Sequence, residues 1–505
     1  MKIWETLVCL LVPCLLLAQT PSHFRLHQLK VRGEIQEALA EDLDQDGIKE
    51  ISVISYIDSA QAPRRFLSIF WAGADGKYLP ANFFELEIPS RFSNYDFGSL
   101  PGDKEPAAVF LSKNSAEYYL WKNHRLEGPT RLLGFTNQLI QVPDSDRILY
   151  YDFFYDWNQD RVNELLTFQI GEAEIFYFRN GKWISSSLGI PFEVSYNSSP
   201  LLRKLYPHLE FRVSYLTPSF FPGDLEGDGK QELFVLSRNK IWIYQLNPEG
   251  AFGSKPYLKL APQLTKPDAT PAAMDRSGVQ MNLQIADLDG DKKADLIANH
   301  QQGSAFNPKS DLQIFFGKNN WADPGKKNLQ PGRAWNFSRW TLGPLVKDVN
   351  ADHYPDLVVP IMEFGIVETV KALTTRGLPI DFNYYLSAQG AVPETASNSD
   401  SLNFYFDFQR NRLTGGILPN VLGDFNGDGI DDLVYGASEK ELVVLIKDRK
   451  TFKTTFKESI PVQSSLNIYI DDLNSDQKDD LILIYPRQES VPKGQFNVLV
   501  NQGKW

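Results

Sequence analysis

Eight times along the chain, an apolar and aromatic run of strand length ends in a polar turn: Phe66–Trp71, Tyr118–Trp121, Ile175–Phe178, Ile241–Leu246, Leu312–Phe316, Phe382–Leu386, Leu442–Ile446 and Phe496–Val500. Runs of this kind, rich in β-branched and aromatic residues and bounded by turn formers, predict buried strands. Shorter apolar runs precede them, such as Ile51–Ile54 and Leu357–Pro360, and predict a second buried strand in each unit. Leu402–Phe408 alternates apolar and polar residues and predicts a half-exposed outer strand. One stretch breaks the rhythm. Phe364–Arg376 places Ile366, Val370 and Leu373 on one face and is followed by Gly377, which predicts an amphipathic helix inserted at 364–376.

Between the strands of seven units lies a nine-residue segment of fixed pattern. The first four are Asp42-Leu-Asp44-Gln-Asp46-Gly47-Ile48-Lys-Glu50, Asp156-Trp-Asn158-Gln-Asp160-Arg161-Val162-Asn-Glu164, Asp224-Leu-Glu226-Gly-Asp228-Gly229-Lys230-Gln-Glu232 and Asp287-Leu-Asp289-Gly-Asp291-Lys292-Lys293-Ala-Asp295. The others are Asp348-Val-Asn350-Ala-Asp352-His353-Tyr354-Pro-Asp356, Asp424-Phe-Asn426-Gly-Asp428-Gly429-Ile430-Asp-Asp432 and Asp472-Leu-Asn474-Ser-Asp476-Gln477-Lys478-Asp-Asp480. Position 2 is apolar every time, and Leu or Ile follows position 9 every time. A solvated acidic loop requires neither. The gap between Asp42 and Asp156 is about two units long, and Tyr95–Gly102 followed by Ala107–Leu111 reads there as a unit whose metal ligands are lost. The count of units is then eight, matching the count of strand endings. His23–Val31 precedes the first unit and is expected to supply the outer strand that the last unit lacks, closing a ring and removing exposed sheet edges. The fold class predicted is an all-β, eight-bladed β-propeller, with seven blades as the alternative, and with the Asp-rich loops between the first two strands of the blades.

The loop chemistry points to calcium. A hard cation of that size takes six to eight oxygens at about 2.3–2.6 Å from carboxylates, carbonyls and water. In a loop curled around a point, the side chains of positions 1, 3 and 5 converge, position 7 offers its carbonyl and the position 9 acid closes the shell. Position 6 must turn with positive φ, which Gly47, Gly229 and Gly429 do without strain, whereas Arg161, Lys292, His353 and Gln477 carry a Cβ there. Zinc would want Cys and His, and the loops hold only His353. Up to seven Ca2+ ions are expected. The Asp42 and Asp224 loops combine four acids with glycine and should bind most tightly, while the Asp156, Asp348 and Asp472 loops should empty first.

Composition narrows the setting. Basic residues number 51 against 63 acidic, a net charge of −12, which disfavours nucleic acid and anionic membrane surfaces as partners. Lys2, the apolar run Leu7–Leu17 and Ala18-Gln19-Thr20 have the form of a secretory signal peptide, assigned to 1–19, with one propeller domain over 20–505. Val8 and Pro13, which precede Cys9 and Cys14, are not the small residues of a lipoprotein cleavage site. Removal of the signal leaves no cysteine and no transmembrane span, so calcium rather than disulfides is expected to staple an extracytoplasmic chain.

The Asp-x-Asp-x-Asp-Gly-x-x-Asp-Leu pattern of these units resembles the FG-GAP/VCBS repeats of integrin α-chain propellers and of bacterial secreted proteins. That resemblance covers essentially the whole mature chain and implies a calcium-binding propeller that is secreted, periplasmic or displayed at the cell surface. Such propellers serve adhesion, lectin-like binding and in some cases polysaccharide cleavage. The leading expectation is a non-catalytic scaffold that binds a protein or glycan. The alternative is a calcium-dependent polysaccharide lyase or other carbohydrate-active enzyme. The six histidines, at 23, 27, 124, 208, 300 and 353, form no constellation that defines a general base, and no catalytic residue is assigned.

Overall fold

A computed structural model describes residues 22–505, apart from 59–62, 74–75, 103–104, 137–147, 170, 191–192, 198–211, 238–239, 261–279, 305–306, 324–328, 364–373, 389, 406, 410–411, 416–420, 466 and 504. The signal peptide assigned to 1–19 lies outside the described residues. So does the helix predicted at 364–376, except at its end, where Thr374 and Thr375 are helical.

The protein is an eight-bladed all-β propeller. Blade 1 is the antiparallel sheet Glu34–Glu41, Glu50–Ile57, Arg64–Ala72 and Tyr78–Ile88. Blade 2 holds Asn94–Ser99, Pro106–Leu111, Ser115–Lys122 and Arg125–Gly134, and blade 3 holds Phe154–Tyr155, Glu164–Gln169, Glu172–Arg179 and Lys182–Leu188. Blades 4 and 5 run Ser219–Gly223 to Leu258–Leu260 and Gln280–Ala286 to Arg333–Phe337, again with four strands in sequence order. In blade 6 two short inner strands, Trp340–Thr341 and Leu345–Lys347, pair with Asp356–Met362, and Gly377–Tyr385 and Asn398–Tyr405 follow outward. Blade 7 is Leu422–Gly423, Asp432–Ser438, Glu441–Lys447 and Thr454–Ile460.

Blade 8 is assembled from both ends of the described chain. Phe24–Lys30 pairs antiparallel with Gln495–Asn501, from Phe24 opposite Asn501 to Lys30 opposite Gln495, outside Asn467–Asp471 and Asp480–Ile484. The closure expected of His23–Val31 is therefore present, and the ring has eight blades rather than seven. Glu458 of blade 7 holds this strand in place. It accepts hydrogen bonds from Ser22 Oγ (2.8 Å) and the His23 amide (3.0 Å) and pairs with His23 Nδ1 (2.8 Å).

The predicted apolar runs are the second and third strands of the blades. Second strands such as Glu50–Tyr56 and Asp480–Ile484 are buried along their length, because neighbouring blades cover both faces. Outer strands such as Thr454–Ile460 expose most of their residues. The outer strand of blade 6 ends at Tyr405, short of the predicted Phe408. Asp407–Gln409 instead opens a separate hairpin with Arg412–Gly415. Leu149–Tyr150 lies parallel to the inner strand of blade 2, an addition too short to leave any periodicity in the sequence.

Candidate metal centres

All seven nonapeptides join the first strand of a blade to its second, and all seven close with the same three hydrogen bonds. The amide of position 6 donates to Oδ2 of the position 1 Asp at 2.7–3.1 Å. The amide of position 7 donates to Oδ1 of the position 5 Asp at 2.7–3.0 Å. The amide of position 2 donates to the position 9 carboxylate at 2.8–3.1 Å. Position 6 is left-handed throughout, with φ of 66–88°, in Arg161, Lys292, His353 and Gln477 as in the three glycines. Position 4 is left-handed as well, with φ of 57–76°, in Gln45, Gln159, Ala351 and Ser475 as in Gly227, Gly290 and Gly427. Sequence reasoning missed this second turn, although glycine at three of the seven position 4 sites pointed to it.

These bonds bring the acids inward to different degrees. Ligand oxygens lie within 4.8 Å of one another in Asp42, Asp44 and Glu50, in Asp156, Asp160 and Glu164, and in Asp287, Asp289 and Asp291. In three of the loops with Asn at position 3, its amide already contacts the position 5 carboxylate: Asn158 with Asp160 at 3.2 Å, Asn350 with Asp352 at 3.3 Å and Asn426 with Asp428 at 3.1 Å. Lysines reach others, Lys230 to Asp228 at 2.7 Å, Lys478 to Asp476 at 3.3 Å and Lys318 to Asp289 at 2.5 Å. Position 9 is the most deeply buried of the set, at 0–4% exposure. Where it is Asp, its second oxygen accepts the amide at the end of the third strand, from Gly317, Ser387, Lys447 or Asn501, at 2.6–2.7 Å.

Burial raises all seven position 9 carboxyls: Glu50, Glu164, Asp432 and Asp480 to about 8, and Glu232, Asp295 and Asp356 to about 7. The neighbouring loop carboxylates push the same way, and the backbone amides only partly oppose them. The loops suit a hard divalent cation by one further observation. Asp42 Oδ1 and Asp287 Oδ1 are buried without a hydrogen-bond partner, an arrangement that is costly unless a cation completes it, while Lys318 already stands at Asp289 Oδ2. Positions 1, 3 and 5, the carbonyls of Ile48, Val162, Lys230, Lys293, Tyr354, Ile430 and Lys478, and position 9 are the groups that would hold calcium.

Blade 2 lacks the motif and uses a carboxylate instead. Asp96 is 4% exposed and accepts the amides of Phe97, Phe153 and Phe154, each at 2.8 Å, the last two belonging to blade 3. Elsewhere the loops bond to each other across the seams. The amides of Lys49, Ala294, Asp431 and Asp479, all at position 8, donate to Leu473, Asp224, Val349 and Asp424 of the preceding loop at 2.7–3.0 Å. Ion pairs Lys49–Asp471 (2.6 Å) and Lys347–Asp431 (2.8 Å) stand at the same level. They border a cavity of about 660 Å3, lined by inner-strand residues of blades 4 to 8 including Phe221, Ile285, Leu345, Lys347, Leu422 and Asp471. A second cleft of about 650 Å3 lies beside the Asp424 loop, between Asp428, Arg449, Phe456, Lys478 and Trp505.

Residues 224–298, which carry the loops of blades 4 and 5, match the FG-GAP-like repeat family model. No curated protein matches the chain. Among solved structures it is similar to the Dos1 propeller, with 8% identity over 95% of this chain and 96% of that one and a TM-score of 0.44. It is also similar to an Agrocybe aegerita lectin described as recognising non-reducing terminal N-acetylglucosamine, with 12% identity, 92% and 100% coverage and a TM-score of 0.38. The WD40 domain of Toxoplasma gondii coronin matches with 9% identity, 96% and 88% coverage and a TM-score of 0.32. The strand pairing makes the chain an eight-bladed propeller, and its residues 224–298 carry an FG-GAP-like repeat.

Proposed function

We propose that the chain is a secreted, calcium-loaded propeller that acts as a non-catalytic scaffold for a protein or glycan ligand. The observation that carries this reading is the repetition of one loop geometry seven times, with carboxylate oxygens converging in three loops and, in two, buried without a hydrogen-bond partner. Calcium supplies the positive charge these oxygens lack, and so stiffens the face on which the loops lie side by side. The cavity at the inner strands and the cleft beside Arg449, Phe456 and Trp505 open next to the loops and offer polar and aromatic groups for recognition. The N-terminal Lys2 and Leu7–Leu17 support export before folding.

Two measurements test the reading. Calorimetric titration of chelator-treated protein should show several calcium ions bound per chain and a rise in melting temperature. Glycan-array and surface pull-down binding should then depend on calcium. Absence of calcium binding would refute the metal reading. Release of unsaturated products from a polysaccharide would replace the scaffold with a lyase.

A further inference from the structure

The Asp287 loop differs from its counterparts in a feature outside the nonapeptide. The amide that caps the position 9 Asp belongs to Gly317 in blade 5, Ser387 in blade 6, Lys447 in blade 7 and Asn501 in blade 8. The residue after it is Lys318, Ala388, Asp448 or Gln502 respectively, so blade 5 alone of these four places a cation there. Lys318 sits in the 3-10 turn Gly317–Asn319, the one such turn among the described residues. Its Nζ lies 2.5 Å from Asp289 Oδ2 and 4.8 Å from the centre of the Phe316 ring. The Asp289 side chain is 1% exposed, and that oxygen has no aligned hydrogen bond, so the contact is electrostatic. Asp287 Oδ1 in the same loop is buried and unpartnered, and Asp287, Asp289 and Asp291 converge within 4.8 Å.

A tethered ammonium therefore serves the carboxylate that a divalent ion would have to recruit. We propose that the Asp287 loop is an exchangeable cation site, in which Lys318 is the resident cation and calcium its competitor. The proposal rests on the calcium reading of the loops and refines it. This site fills only at calcium concentrations above those that load the four-acid Asp42 loop. Filling it expels Lys318 and frees the Gly317–Asn319 turn from its anchor at the rim of blade 5. The charge that the sequence pattern credits to this loop is thus partly spent before any metal arrives.

Terbium luminescence reads the site directly, because Trp321 Nε1 donates to Ala294 O of this loop at 2.8 Å and places an energy donor beside it. The difference between each protein and its Trp321→Phe counterpart isolates this emission, and calcium competition converts it to calcium affinity. Lys318 is half exposed, so Lys318→Met is compatible with folding. It should lower the terbium midpoint of this loop about tenfold and leave the total titration of the other loops unchanged. In an Asp289→Asn background the same substitution should have no effect. An unchanged midpoint in Lys318→Met, with the other loops filling normally, overturns the exchange alone. An equal shift in the Asp289→Asn background overturns it too, since the effect would then be general charge. Failure of every loop to bind either ion overturns the calcium reading and this site with it.

Discussion

Replacing Asp96 with alanine tests what a buried carboxylate contributes in the blade that lacks the Asp-rich loop. The substitution leaves the buried amides of Phe97, Phe153 and Phe154 without their acceptor, two of them across the seam between blades 2 and 3. At about 1–3 kcal/mol for each unpaired buried group, with partial rescue by water, the cost is about 4 kcal/mol. With an unfolding entropy of about 2.1 cal/mol/K per residue, this lowers the melting temperature by about 4 °C. Two effects compete for the charge of Asp96. Burial favours the neutral acid, the three amides favour the anion, and burial wins, raising the group to about 8. A carboxyl raised in the folded state contributes stability that is full below its ordinary value of 3.8 and is lost as pH rises through about 8. The stability gap between wild type and Asp96→Ala, about 4 kcal/mol at low pH, should therefore narrow from pH 5 to 8 by up to about 1.4 kcal/mol per pH unit, enough to close most of it, and then level off. Calorimetry or denaturant unfolding at saturating calcium measures that gap. A gap that widens with pH would mean that the three amides hold an anion, and would refute the dominance of burial.

The remaining predictions concern the seams and the turns. Gly98→Ala should destabilise the same seam, because a Cβ there would lie 2.6 Å from Asn163 Nδ2 and 3.0 Å from Phe154 O; an unchanged melting curve would contradict it. His353→Gly and Gly47→Ala should shift calcium-free stability in opposite directions, by about 1 kcal/mol each, because both positions are left-handed, at φ 72° and 88°. Denaturant midpoints in chelator read the pair, and shifts of the same sign would remove strain at position 6 from the account. Glu458→Ala should cost about 2–3 kcal/mol by releasing Ser22 and His23, and should expose the Phe24–Lys30 strand to limited proteolysis.

Much of this architecture was legible because each blade states its pattern again. The eight third strands, the degenerate unit at Tyr95 and the closing strand followed from periodicity and spacing, since a buried strand needs a continuous apolar run and a metal loop needs its oxygens at alternate positions. Charge carried by residues distant in sequence was not legible. Lys318 lies 29 residues beyond Asp289, and Glu458 lies 435 residues beyond His23, so neither contact has a local signature. In the Asp224 loop Lys230 at position 7 turns back onto Asp228, a contact that a count of acids omits. A count of acids sees the carboxylates, whereas the affinity of a loop depends on which of them already hold a cation or an amide hydrogen.

The position 8 amides suggest why the loops are spaced one per blade rather than clustered. A strand-to-strand turn inside one blade needs no partner in the next. Here Ala294, Asp431, Asp479 and Lys49 each donate an amide to a carbonyl of the preceding loop, so the backbone of one Asp-rich loop frames its neighbour. Ordering one loop around a cation fixes the carbonyl on which the next depends, and disordering it withdraws that carbonyl. If the loops bind a cation as proposed, that ordering would pass to the adjacent inner strands, which are as short as two residues at Leu422–Gly423 and Phe154–Tyr155. Blade 2 has no such loop, and Asp96 reaches across to two amides of blade 3 at the corresponding level. Seam contacts made by a loop carbonyl in one place and a buried carboxylate in another tie the inner ends of neighbouring blades together, and they matter most in blades 3 and 7, where an inner strand of two residues supplies little pairing of its own.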